Sequence, residues 1–151
     1  MTMQAPDPFI WNNEEWTFLG AENVYTLFDP KEYGLYPEMV STACYKGFII
    51  KFRLDDNQLI LDKLSVYCGE NPYPAINGIE AIDDTVGMHL YKNINLKLSY
   101  SGVITIGKNM DKRFIGRAFI GAHAYEKTYE LTFKNGKLID KKDTSETYSG
   151  F

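Results

Sequence analysis

Apolar and polar residues alternate most clearly in two places. From Phe48 to Leu54, the even positions Phe48, Ile50, Phe52 and Leu54 are apolar, with Lys51 and Arg53 between them. That period of two predicts a strand with one buried face. Placing a two-residue loop at Asp56-Asn57 pairs Asp55 with Gln58, Leu54 with Leu59 and Phe52 with Leu61, so apolar residues meet on one face. Beyond Leu61 the apolar phase slips to Leu64 and Val66, which predicts a bulge near Asp62-Lys63. The second place is YELTFKNGKLID, residues 129–140. Tyr129, Leu131 and Phe133 alternate with polar residues up to Asn135-Gly136, a strong hairpin signal because both turn positions need positive φ. This turn predicts Lys134 opposite Lys137 and Phe133 opposite Leu138.

The pattern elsewhere is weaker. Residues 1–10 carry Pro6 and Pro8 and suggest a loose N-terminal arm; order begins around Trp16, Phe18 and Leu19. Glu22–Phe28 suits a strand ended by Asp29-Pro30, and Pro30–Pro37 a loop. Residues 69–88, rich in Gly, Pro, Asn and Asp, predict a long loop with a short strand or turn around Ile79–Ile82. Ile94, Leu96, Leu98 and Tyr100 predict another strand, and Val103–Ile106 continues in β style after a kink at Ser101-Gly102. Asn109 is placed to cap a short helix from Met110 to about Phe119, although Gly116 weakens it. Residues 141–151 are polar and predict a frayed tail. Six to eight strands, short turns and one or two short helices define a mainly β single domain over residues 1–151. The expected architecture is an antiparallel sheet curled into a half-open barrel or sandwich.

Composition changes this picture little. The chain of 151 residues can bury a sizeable core unaided. Eleven Tyr, nine Phe and two Trp suit both strands and binding surfaces. A net charge of −4 argues against general nucleic-acid binding, which uses a basic face. Lys108, Lys112, Arg113 and Arg117 fall close together but are interrupted by Asp111, as on a solvated face. The N-terminal residues lack the basic start and apolar run of a signal peptide, and no run is long enough to span a membrane. The expectation is a cytoplasmic protein with no membrane association and reduced cysteines.

The stretch STACYKGF (41–48), followed by strand, turn and strand, resembles a family of small bacterial single-domain proteins. In that family the segment commonly reads S-T-A-C-W-R-G-Y. YSGVITIGK (100–108) and YELTFKNGKLID (129–140) are similar in kind and order, so the resemblance covers about Asp29 to Asp140. This chain has Tyr45 for the Trp, Lys46 for the Arg and Phe48 for the Tyr. Lys46 lacks the planar fork of an arginine. The resemblance implies a shared fold and carries no established activity.

Signs of chemistry are sparse. Cys44 precedes the first strand of the best hairpin and suits a core position better than a nucleophile; His89 and His123 are the only histidines with which it could pair. Cys44 and Cys68 form no zinc framework, and Asp55-Asp56 and Asp83-Asp84 suit turns better than calcium loops. No phosphate-cradling glycine loop or nucleophile elbow is present. No cofactor or metal is expected, and catalytic residues are not singled out.

Three functional readings follow. The first is a non-enzymatic protein-binding module, immunity- or antitoxin-like, that meets a partner with a basic surface through carboxylates and exposed aromatic anchors. Its candidate residues are Trp11, Glu14, Glu15 and Trp16, the pair Asp83 and Asp84 in the long loop, and His123 and Tyr125 among small residues before the last hairpin. The second is a small-ligand carrier with an apolar cavity lined by residues such as Phe52, Tyr100, Phe119 and Phe133. The third is an enzyme whose site is gathered from distant strands, with Cys44 or His123 beside a carboxylate.

Overall fold

Among the described residues, three hairpin turns each turn on two consecutive residues with positive φ. They are Asn12-Asn13 (55° and 61°), Asp56-Asn57 (50° and 62°) and Asn135-Gly136 (49° and 83°). Asn, Asp and Gly tolerate this left-handed region, and the turn twists in the sense the flanking strands need. We describe a computed structural model over residues 6–39, 46–83, 87–110 and 125–145.

The described strands are β1 (Asp7–Trp11), β2 (Glu14–Ala21), β3 (Phe48–Asp55), β4 (Gln58–Val66), β5 (Ile82–Asp83), β6 (His89–Tyr91), β7 (Leu96–Lys97), β8 (Gly102–Met110), β9 (Tyr125–Lys134) and β10 (Lys137–Asp143). Between β2 and β3 lie a short helix, α1 (Val24–Leu27), and a 3-10 turn at Pro30–Tyr33. The sheet runs β10-β9-β8-β2-β1-β3-β4-β6-β5, with β7 also on β4. It curls into a ring because β10 returns to β4 at Lys137 and Gln58. The molecule is therefore mainly β, as the pattern predicted. The pairing of β1 with β3 is parallel, through Phe9–Phe52 and Ile10–Arg53, and the others are antiparallel.

Both predicted hairpin registers hold. Asp55 faces Gln58, Leu54 faces Leu59 and Phe52 faces Leu61; the register then shifts so that Lys51 faces Lys63, leaving Asp62 as the extra residue of a bulge. Lys134 faces Lys137 and Phe133 faces Leu138, and a further shift leaves Ile139 unpaired between Leu138 and Asp140. A third shift lies between Phe18 and Gly20 in β2. Bulges bend strands and increase their twist, which helps a sheet this long to curl. Inside it pack Phe9, Phe52, Leu61, Ile104, Leu131 and Phe133, all at most 2% exposed.

Several sequence expectations are corrected. The N-terminal arm is ordered from Asp7, where β1 pairs on both sides, with β2 and with β3. The prolines suggested a loose end, but Pro8 is accommodated within β1. Glu22–Phe28 is not a strand: Asn23 takes a left-handed conformation and opens α1, whose Leu27 is buried together with the following Phe28. The 30–37 loop begins with a 3-10 turn, capped by the Asp29 carboxylate accepting from the Lys31 N–H at 3.1 Å.

Of the strand expected over Ile94–Tyr100, only Leu96–Lys97 forms a ladder. Asn93 and Asn95 have positive φ and break the run, though Ile94, Leu98 and Tyr100 are buried as the alternation required. The long loop holds a tight turn in which Ile76 and Ile79 exchange backbone hydrogen bonds, followed by β5 at Ile82–Asp83. The helix expected from Met110 gives way at its start to β8, which includes Met110; the rest of it lies outside the described residues. The tail is ordered further than expected. β10 reaches Asp143, and buried Thr144 donates its N–H to the Thr128 carbonyl at 3.0 Å.

The ring closes where two hairpin turns meet. The Leu59 N–H donates to the Gly136 carbonyl and the Leu138 N–H to the Asn57 carbonyl, both at 2.8 Å. The Gly136 N–H donates to the Tyr100 carbonyl at 2.8 Å, and the Gln58 amide bonds the Leu98 carbonyl at 2.9 Å. Gly136 has φ of 83°, and a β-carbon there would run into the Leu98 carbonyl oxygen. Gly136→Ala is therefore expected to destabilise the protein by about 2–4 kcal/mol, lowering Tm by roughly 6–12 °C in a thermal melt.

Tyr91 is fully buried and donates its hydroxyl to the Pro74 carbonyl at 2.7 Å; burial raises its pKa from 10.0 to about 12. Between about pH 10 and pH 12 the unfolded chain releases this proton while the folded chain keeps it. Stability present below pH 10 is then lost as pH rises through the folded value. Urea midpoints measured from pH 8 to 11.5 should fall in this window. Tyr91→Phe should make the fall shallower while lowering stability at pH 8 by about 1 kcal/mol.

Candidate ligand-binding cavity

A cavity of about 340 Å³ opens between α1, β2 and β3. Alternation along β3 turns Phe48, Ile50 and Phe52 to this side, while β2 contributes Phe18 and α1 brings Leu27 and Phe28. Their rings pack against one another: Phe18 and Phe52 lie 5.3 Å apart, Phe28 meets Phe48 edge-on at 5.8 Å, and Phe28 stacks on Tyr33 at 5.5 Å. Val24 and Tyr25 form part of the lip, and Tyr25 is 76% exposed. The wall is thus apolar and aromatic, with a volume at the lower end of the usual range for ligand sites.

One buried carboxylate interrupts this wall. Asp7 is 8% exposed and lines the cavity from the start of β1. Its Oδ1 accepts from the Ile50 N–H at 2.8 Å, so a side chain extends the contact between β1 and β3 beyond the backbone ladder. Its Oδ2 is paired with the Lys46 ammonium. The Lys46 side chain is 41% exposed, and its Nζ lies 4.8 Å from the centroid of the Phe48 ring. Asp29 and Lys31 also border the cavity.

The residues singled out from the sequence fall elsewhere. Trp11 and Trp16 are each 7% exposed, at either side of the β1–β2 turn, and close a three-ring cluster with Tyr129. Lys141 lies over Trp11 at 5.7 Å and Lys108 over Trp16 at 5.3 Å. The tryptophans are thus packed core residues and do not stand out as exposed anchors. Exposed Glu14 is ion-paired with Lys108, and Glu15 is exposed. Asp83 is exposed on β5 and meets His89 Nε2 at 2.9 Å; the His89 ring stacks on Tyr73. Tyr125 is 7% exposed, and burial pushes its hydroxyl pKa up. Asp84, His123 and Cys44 lie outside the described residues.

Of the residues expected to line a carrier cavity, Phe52 does so, while Tyr100 and Phe133 are packed together in the core at 6.3 Å. Phe119 lies outside the described residues. Cys68 is fully buried, and its thiol pKa is raised by that burial.

Sequence reasoning missed Asp7, Phe18 and Phe28 as cavity residues. It met Lys46 only as a replacement for arginine. Asp7 stands between two prolines, and the Ile50 amide it serves is 43 positions away. No local pattern announces such a pair.

No family model matches the chain, and neither a curated protein nor a solved structure matches it. Among the described residues, no helix is long and apolar enough to cross a membrane, and no three His, Cys, Asp or Glu side chains gather as a metal ion would require.

Removing the Asp7 carboxylate leaves the buried Ile50 N–H without its acceptor. Asp7→Ala should cost about 2 kcal/mol in urea denaturation. Asp7→Asn retains an acceptor for that N–H and should cost less than half as much.

Proposed function

We propose that this protein is a non-enzymatic binder of a small, mainly apolar ligand, held in the cavity between α1, β2 and β3. The observation that carries this reading is the aromatic-walled space of about 340 Å³ that borders the buried core. Apolar space lined by rings favours apolar guests. A ligand hiding roughly 250 Å² of apolar surface gains about 6 kcal/mol from burial before association costs. Because association costs reduce that gain, the expected Kd is roughly 100 µM or weaker.

The protein-binding reading has less support. Its aromatic candidates Trp11 and Trp16 are buried beneath Lys141 and Lys108, while among the described candidates Glu14, Glu15 and Asp83 are exposed.

Titration with the neutral dye N-phenyl-1-naphthylamine tests the proposal. The folded protein should raise the dye's fluorescence saturably. Ile50→Trp, which places an indole in the cavity, should weaken binding at least tenfold with a cooperative melt retained. Equal binding to that folded variant would sink the reading.

A further inference from the structure

The charges around the cavity are arranged by depth. The buried charge is negative: Asp7 is held in place by the Ile50 N–H and has a side chain only 10% exposed. The neighbouring positive charges are shallower, since Lys46 is 41% exposed along its side chain and Lys31 is exposed. A fixed carboxylate beside aromatic faces is the combination that recognises an organic cation.

The chain displays that recognition itself. The end of Lys46 is an alkyl chain bearing an ammonium, paired with Asp7 and 4.8 Å from the centre of the Phe48 ring. A ligand with the same end group and an apolar body could make both contacts and also fill the space beside Ile50, Phe18 and Phe28, which the lysine stem leaves empty. Lys46 would then turn outward into water and regain the hydration of its charge. An anionic head group fits poorly, because it would approach Asp7 and find the lysine charge already neutralised. A neutral ligand would fill the cavity without using the carboxylate.

We propose that the cavity selects a hydrophobic amine, whose ammonium takes the place of Lys46 on Asp7 while its apolar body lies among Phe18, Phe28 and Phe48. This inference rests on the ligand-binding reading above and goes further by assigning the head group. Lys46 acts in it as a built-in competitor that sets the affinity.

Isothermal titration at pH 7.5 with octylamine, octanol and octanoate separates the two. The intact protein should bind octylamine at least fivefold more tightly than octanol, and octanoate most weakly. Lys46→Met removes the competitor and should raise octylamine affinity about tenfold, widening its margin over octanol. Asp7→Asn should abolish the preference for the amine, so that octylamine and octanol bind within about twofold of each other, with folding checked by a thermal melt. If octanol or octanoate binds the intact protein as well as octylamine does, the amine assignment is overturned and the cavity reading stands. If none of the three binds either the intact protein or Lys46→Met, both fail.

Discussion

The closure of the sheet depends on two hairpin turns meeting backbone to backbone. The turn at Asp56-Asn57 and the turn at Asn135-Gly136 exchange hydrogen bonds through Leu59 and Leu138, with Lys137 paired to Gln58. These bonds join the turn end of β10 to the start of β4, where the ladder itself contributes one pair. The contact is tight enough that position 136 has no space for a β-carbon. The residue that permits the turn is thus also the one that permits the ring.

Closure has a consequence at the other side of the ring, where β1 lies between β2 and β3. Its parallel pairing with β3 is short, covering Phe9 and Ile10. The Asp7 carboxylate extends the contact by accepting the Ile50 N–H, which requires a charge to be buried. A buried carboxylate is costly unless it is bonded and paired, and Lys46 supplies the pairing. The same carboxylate is what gives the apolar cavity a polar landmark. Strand pairing and the proposed ligand selectivity therefore draw on one side chain, and aromatic residues of β2 and β3, with Phe28 after α1, form the space around it.

The opposite treatment of the two aromatic groups is instructive. Trp11 and Trp16 each meet Tyr129 edge to face, tilt against each other and are covered by lysine side chains, leaving little surface for a partner. Phe18, Phe28 and Phe48 also touch neighbouring rings, yet they border open space. Composition alone gives these groups the same value as binding residues. Only packing separates an aromatic cluster that fills its site from one that walls a cavity.

Local constraints were legible in the sequence where the physics is local. Alternation and turn chemistry determined both long hairpins, their registers, and the bulge at Asp62, because a one-residue slip would turn Phe52 or Phe133 away from the core. They also implied a curled, mainly β sheet. The same local reading failed at Asp7–Trp11, where prolines masked a strand stabilised by two distant partners, and at Val24–Leu27, where an asparagine in the left-handed region opened a short helix. Ring closure, the parallel β1–β3 pair and the cavity were decided by tertiary structure alone. Each joins residues some 40 or more positions apart, Asp7 with Ile50 and Gln58 with Lys137. Such contacts depend on how the whole chain closes, and neighbouring residues carry no periodic signal of them.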